Sequence, residues 1–470
     1  MKLRIENLGI LHHADLELGD LTIVCGKNNT GKTYATYALY GLVKSWRRLV
    51  THLIPEQNRR ELSETGSTTL NLEEAIGKKW PHHMTSIAKR FQGTLPIVLA
   101  ADAERFVDTK IHITIPEPND ILGLAFGGVK NSAGASEGAL LSYKKTAGSP
   151  MLSFTVLKKT LLSLPIEAVD VLANEVLQDA FFAAAFPEVF MASTERTGAA
   201  IFQGELNFSR TRMLEAIANS IDGNRKVNAQ DVFPAIFDEF DPRYAYPVRD
   251  NVTFINQLGS LSSQKSPLTT EHPDILEDFQ DILGGEYKVS RNVVYFVPKK
   301  AKTKLTLGES SSAVRSLLDI GFYLQHQAKK GDLFMIDEPE LNLHPENQRR
   351  VARLLARLVN LGVKVFITTH SDYIAKEFNT LTLLGGGKEP DFAKQFGYRQ
   401  DEALDGAKVR LFVAQPTKAK KTGDSSRSST VNAITLVPPL PDGGFDWPTF
   451  DPTIEEQSRV QRQIWEALNS

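Results

Sequence analysis

Two groups of residues in this chain have the types and order needed to handle a nucleoside triphosphate. The first is Gly26-Lys27-Asn28-Asn29-Thr30-Gly31-Lys32-Thr33, which fits the phosphate-loop pattern G-x-x-x-x-G-K-[ST] in full. Glycines at both ends let the backbone turn tightly, so that N–H groups from Gly26, Asn28, Asn29, Thr30 and Gly31 can face phosphate oxygens. A helix opening near Gly31 would add its positive end. In such a loop Lys32 reaches the β- and γ-phosphates and the Thr33 hydroxyl binds Mg²⁺. The second group lies far downstream. Leu333-Phe334-Met335-Ile336-Asp337-Glu338-Pro339-Glu340 reads as an apolar strand ending in adjacent acids. Asp337 suits Mg²⁺, directly or through water, because that cation takes oxygen ligands. Glu338 suits polarising an attacking water as general base. The plainer alternative is that both acids cap the helix that Pro345 opens. Thr368-Thr369-His370-Ser371 follows one more strand and puts His370 beyond a carboxyl strand end, where parallel α/β sheets place ligands. A γ-phosphate contact fits that place, although a lone histidine is more often structural. Taken in order, the motifs predict binding and hydrolysis of ATP with Mg²⁺.

The elements that must carry these residues are legible around them. Leu21–Cys25 is a buried strand by its apolar, partly β-branched run. Ala35, Ala38, Leu39, Leu42, Val43 and Trp46 recur at helical spacing, so the helix after the loop has a core-facing stripe. Residues 1–25 read as two strands. Residues 47–90 read as polar and helical, with Lys44, Arg47, Arg48, Arg59 and Arg60 making them locally basic. That run is either a solvated face or a lid for nucleic acid or a partner. Residues 95–160 look β-rich, with strands at Leu95–Leu99, Lys110–Ile115 and Leu152–Val156 separated by glycine turns at Gly127-Gly128 and Gly134. A helix over 165–186 precedes a strand at Val189–Ser193. Residues 205–285 read as a second helical insertion. Strands follow at Tyr287–Val289 and Val293–Val297, and then Gly308-Glu309-Ser310-Ser311-Ser312 opens a helix. Serines there cap orphan backbone donors and could equally hold an anion. Beyond 386 the pattern is less regular: a serine- and lysine-rich loop over 418–429, a strand at Ala433–Val437 and a final helix near 455–468.

Composition narrows the class. A net charge of −2 and a pI near 6.6 argue against bulk attraction to nucleic acid or an anionic membrane. The single cysteine, Cys25, cannot form an internal disulfide, which fits a reducing, cytoplasmic setting. The opening residues alternate like a strand and do not resemble a signal peptide, and no apolar run is long enough for a membrane span. The histidine pairs His12-His13 and His82-His83 do not match metal-ligand spacing.

The phosphate loop, the serine-rich helix start, Asp337-Glu338-Pro339-Glu340-Leu341-Asn342-Leu343-His344-Pro345 and Thr368–Ser371 together resemble the ABC-type ATPases of the SMC, Rad50 and RecF kind. Among these the chain is most similar to the overcoming-lysogenisation-defect (OLD) ATPases and their relatives in bacterial phage-defence operons. The resemblance covers roughly residues 1–45 and 185–385. It implies an α/β fold, an ABC-type ATPase head with a mixed central sheet holding the phosphate loop, an antiparallel β subdomain and helical insertions. The head would span 1–385, with insertions at about 47–90 and 205–285, and 386–470 would complete it or bind a partner. By the same resemblance Asp337 serves magnesium, Glu338 hydrolysis and His370 the γ-phosphate. Glu340–Pro345 would lie along an interface between protomers. Ser310, Ser311 and Ser312 would reach the nucleotide held by a second head, making a homodimer or higher oligomer. Ala192–Gly198 resembles a segment of OLD-like ATPases in which Arg196 would contact the nucleotide or the interface. The signature lacks the form found in transporter ATPases, and no glutamine loop is convincing. A Toprim nuclease domain does not fit within 386–470, so a nuclease effector would be a separate, nearby-encoded partner. DNA remains a possible partner through Arg47, Arg48 and Arg59, as in a RecF-like repair ATPase.

Overall fold

The computed structural model describes residues 1–130, 140–157, 166–202, 244–291, 293–301, 303–387, 391–420, 428–440 and 444–446, with 456, 459–463 and 465 near the C-terminus. The expected turn at Gly134, the first part of the second insertion, the middle of the 418–429 loop and half of the expected final helix lie outside the described residues.

A nine-stranded sheet organises the described chain. In chain order its strands are β1 (Lys2–Leu8), β2 (Leu11–Glu17), β3 (Leu21–Gly26), β4 (Lys110–Thr114), β5 (Val189–Ala192), β6 (Leu333–Asp337), β7 (Lys364–Thr369), β8 (Val409–Lys420) and β9 (Ser428–Val437). Across the sheet they run β4-β1-β2-β9-β8-β3-β7-β6-β5. The five strands from β8 to β5 are mutually parallel, while β4, β1 and β2 form an antiparallel wing. The fold is therefore mixed α/β. Helix α1 (Lys32–Leu49) follows β3, and α2 (Arg196–Ile201) follows β5. A short turn α3 (Ser312–Ser316) runs into α4 (Leu318–His326), while α5 (Pro345–Asn360) and α6 (Asp372–Gly386) follow β6 and β7.

Period-two alternation divides the central strands between two apolar cores. Val24, Met335 and Phe366 point to the α1 face, whereas Ile23, Ile336 and Ile367 point to the face packed by α4, α5 and α6. Both faces are covered, which is why these strands read as continuous apolar runs. Ion pairs around two buried groups, Glu377 and Arg357, fasten the second layer. Glu377 on α6 holds Arg349 and Arg353 of α5, and Arg357 holds Asp274, Asp278 and Asp401.

Two small sheets flank the main one. Ser67–Asn71, Met151–Val156, Leu141–Lys145 and Phe126–Lys130 form one, and Gly285–Ser290, Val293–Pro298 and Leu305–Thr306 the other, all paired antiparallel. Three expectations are corrected here. Leu95–Leu99 is the last turn of the helix Trp80–Leu99, because Leu95 and Val98 are buried at helical spacing while Ile97 is 43% exposed. Ser67–Asn71 is a strand within the stretch expected to be helical, with Thr68 and Leu70 facing inward. Gly127-Gly128 lies inside a strand rather than a turn; the Tyr143 ring packs where a Cβ on Gly128 would sit, 3.0 Å from its hydroxyl.

Candidate functional site

Parallel pairing lines up three strand ends. Asp337 on β6 is level with Thr368 on β7, Thr369 is level with Cys25 on β3, and Gly26 is level with Ala414 on β8. The phosphate loop thus leaves the sheet one strand away from β6, on the same carboxyl edge.

The loop is built from its own carbonyls. Gly26 has φ +140°, and a Cβ there would lie 2.2 Å from the Ala414 carbonyl oxygen, so only glycine lets β8 approach. Gly31 caps α1 with φ +95°. Lys32 folds its ammonium back into the loop, donating to the carbonyls of Gly26 at 2.7 Å and Lys27 at 2.8 Å. The Thr30 hydroxyl donates to Lys27 O. Thr33, Asn28 and Asn29 are exposed around that ammonium. Burial lowers the Lys32 pKa, with Glu338 and Asp337 pulling it back up, so loop and acids share one electrostatic field.

The acids are sharply differentiated. Asp337 is 2% exposed and accepts a hydrogen bond from the Thr368 hydroxyl. Burial pushes its carboxyl up to about 6, a shift the Thr368 hydroxyl opposes and Glu338 reinforces. Glu338 adopts φ +53°, a left-handed conformation that non-glycine residues avoid, and this turns its side chain off the strand line toward His370. Its Oε1 lies 3.2 Å from His370 Nδ1. That contact holds Glu338 below the usual carboxylate range and raises His370. The alternative that Asp337 and Glu338 cap the next helix does not hold: the cap of α5 is His344, whose Nδ1 accepts from Glu346 N.

Other residues stand differently from the expectation. Ser311 and Ser312 are exposed, with Ser311 capping α3, but Ser310 is buried and donates to Thr306 O at 2.7 Å. Glu340 turns inward and accepts from the Thr369 hydroxyl and from His370 N, both at 2.8 Å. Leu343 is buried too, which leaves Asn342 and His344 exposed on that loop. Arg196 is 1% exposed and donates to four backbone carbonyls, a placement inside the protein that does not fit the expected direct nucleotide or interface contact. Of the basic run, Arg47 pairs with Asp179 at 2.8 Å and Arg59 faces Asp170 at 3.7 Å. The Arg47 pair suits a solvated face, whereas the Arg59 pair is largely buried.

Sequence reading missed Thr194, Glu195 and Tyr37. Beyond the end of β5, the Thr194 hydroxyl lies 3.5 Å from Asp337 Oδ2, and Tyr37 on α1 donates to Glu195 at 2.9 Å. The signal was the strand Val189–Ala192 itself: a fourth parallel strand must end beside Asp337.

The site can be tested for Mg²⁺ by donor chemistry. Thr33 and Asp337 offer hard oxygens, and neighbouring Glu338 and Glu195 leave Asp337 in a field that a cation would relieve. Among the described residues no group of three His, Cys, Asp or Glu side chains could hold a metal by itself. Mg²⁺ suits such a site because it keeps waters and phosphate oxygens in its sphere. The residues fit a Mg²⁺–nucleotide.

Residues 213–375 match the family model for the AAA ATPase domain. The matched stretch holds Ser310–Ser312, Asp337, Glu338 and His370, while the phosphate loop lies upstream of it. UvrABC system protein A of Vibrio cholerae is 27% identical over 174 residues, 36% of this chain and 17% of that protein. UvrABC system protein A of Thermus thermophilus is 26% identical over 144 residues, 30% of this chain and 14% of that protein. The chain thus spans under a fifth of the length of these relatives. Among solved structures, the SMC head domain from Thermotoga maritima aligns with TM-score 0.30 and 10% identity over 93% of this chain and 98% of that one. The Smc head domain derived from Pyrococcus furiosus aligns with TM-score 0.29 and 10% identity over 98% of each chain. Among the described residues, no helix is long and apolar enough to cross a membrane.

Proposed function

We propose that the protein hydrolyses ATP as an ABC-type head of the SMC, Rad50 and RecF kind. The observation that carries this reading is the convergence of Lys32, Asp337, Glu338 and His370 on one carboxyl edge of parallel strands. Lys32 exchanges a loop carbonyl for a phosphate oxygen, a charge-assisted contact. Thr33 and Asp337 would hold Mg²⁺, which would supply neutralisation of the charge that develops in phosphoryl transfer. Glu338, kept ionised by His370, accepts a proton from the attacking water. His370 stays oriented between Glu338 and Glu340. The test is ATP turnover with Mg²⁺: phosphate release that disappears in Glu338→Gln supports the reading, and absence of release from the wild type overturns it.

The exposed Ser311–Ser312 edge supports a pair of heads, each presenting serines to the nucleotide held by the other. Light scattering on Glu338→Gln should show a doubled mass with ATP and a single mass without it. An unchanged mass would remove the paired arrangement. We further propose a sensor or scaffold role in anti-phage defence in the cytoplasm, governing a separate effector such as a Toprim-type nuclease. This rests on the resemblance to OLD-like ATPases. ATP-dependent co-purification with a nuclease encoded nearby is the expected result, and its absence together with unaltered phage sensitivity counts against the role. The alternative of a DNA-binding repair ATPase relied on Arg47, Arg48 and Arg59, two of which face acids within the chain.

A further inference from the structure

Arg196 is 1% exposed, and its guanidinium donates to four backbone carbonyls. Nε donates to Ser316 O at 2.8 Å, at the end of α3. Nη1 donates to Asp337 O at 2.7 Å and to Ser193 O at 2.8 Å, and Nη2 donates to Glu338 O at 2.8 Å. One planar group therefore joins three places: the end of β5, the end of β6, and the turn whose start carries Ser311 and Ser312. A second tie runs in parallel, since the Ser316 hydroxyl lies 3.0 Å from Leu341 O. On its far side α3 is held by the Tyr287 hydroxyl, which donates to Val314 O.

Burying a guanidinium costs free energy that bonds to neutral carbonyls only partly offset, and an apolar side chain of similar volume could fill the space. What an apolar group could not supply is a rigid fork with fixed donor directions. Because the donors share one plane, a shift of Ser316 O is transmitted to the carbonyls of Asp337 and Glu338. Glu338 is sensitive to such a shift, since its left-handed φ sets the direction in which the side chain leaves the backbone toward His370.

We propose that Arg196 is a positioning residue that locks the serine-bearing α3 turn to the strand end carrying Asp337 and Glu338. Contact made at Ser311 or Ser312 is thereby reported to the hydrolytic carboxylate. The inference rests on the ATPase reading and adds to it a route from the outer serines to Glu338.

Arg196→Lys keeps the charge and removes the fork. The expected result is a kcat lower by about a hundredfold, the scale of a misplaced reacting group, with ATP Kd and KM within about twofold of wild type. A weakened Kd with unchanged kcat would make Arg196 a direct ligand contact, and unchanged kcat, KM and Kd would make it a space filler; either overturns the proposal. Should the variant fail to fold, wild-type protein decides by backbone hydrogen exchange. ATP should alter protection over 312–317 and 337–342 together, and a change confined to one segment overturns the coupling. Wild-type protein that neither binds nor hydrolyses ATP would sink the ATPase reading itself, whereas normal turnover in Arg196→Lys sinks only the clamp.

Discussion

At the scale of single residues, neighbouring acids on one strand end are given unlike chemistry by their surroundings. Asp337 is buried and pushed up to about 6, so it is poised to gain a cation, while the adjacent Glu338 is held ionised by His370. Replacing Glu338 by Gln keeps the volume and removes the basic oxygen. ATP turnover should fall by about a hundredfold or more, the usual contribution of a general base, while nucleotide binding by fluorescent-analogue titration stays intact. Normal turnover would take Glu338 out of its role. Lys32→Ala deletes the ammonium that the loop carbonyls of Gly26 and Lys27 hold in place. Affinity for ATP should weaken by about ten- to a hundredfold, the value of one hydrogen bond to a charged group. Calorimetry reads it directly, and an unchanged Kd would place the phosphates elsewhere. Asp319 is a different case. It is 1% exposed on α4, neither carboxylate oxygen has a hydrogen-bond partner within the protein, and burial pushes it up to about 7 against the pull of Arg196. A folded pKa above the unfolded one means that the native state binds the extra proton. Stability is then greatest below the ordinary carboxylate range and is lost as pH rises through about 7. Asp319→Asn should exceed the wild-type Tm by a margin that widens from pH 5 to pH 8, reaching about a few degrees at the upper end. A constant difference across that range would show that the carboxyl does not titrate there.

At the scale of elements, the strands and helices most legible in the sequence are those whose signals are local and whose both faces are buried. Leu21–Cys25, Leu333–Asp337 and Val363–Ile367 are short apolar runs, and each lies in the parallel part of the sheet. Their order was not legible, because pairing depends on contacts distant in sequence, and only the fold shows that β8 separates β3 from β9. Ser67–Asn71 was hidden by its hydroxyl-rich composition, and Leu95–Leu99 was misread because a short apolar run has no period of its own. The site showed the same split. The phosphate loop and the Asp337-Glu338 pair are contiguous motifs, whereas the partnership of Thr194 with Asp337 comes from two strands meeting, and the inward turn of Glu340 from Thr369 and the His370 amide. Gly26 binds the two kinds of information together. Its motif role is the turn, but its tightest constraint is Ala414 on β8. Gly26→Ala should therefore lower the unfolding midpoint in urea as well as nucleotide affinity, at a stability cost of about 1–3 kcal/mol, as overpacking does. An unaltered midpoint would mean that β8 yields without strain.

At the scale of the molecule, the main sheet is closed by its most distant strands. Among the described residues, the wing β4-β1-β2 joins the parallel strands through β9, which pairs with both β2 and β8; β8 and β9 come from residues 409–437. Leu411 and Phe412 on β8 and Ile434 on β9 are fully buried, and they pack into the two cores that also hold α1 and α6. A chain cut after residue 385 would leave one edge of β3 and one edge of β2 unpaired, with apolar side chains exposed on both faces. Edges of that kind recruit other chains. The cut would also remove Asp401, one of the carboxylates around Arg357, and with it part of the tie between α5 and the short helix Gln400–Glu402. Such a truncated chain should lose cooperative unfolding, bind a hydrophobic dye and aggregate on size-exclusion chromatography, even though it retains every residue assigned to ATP. If it instead unfolded cooperatively and still bound nucleotide, β8 and β9 would be an appendage, and the approach of Ala414 to Gly26 would not be needed to shape the loop.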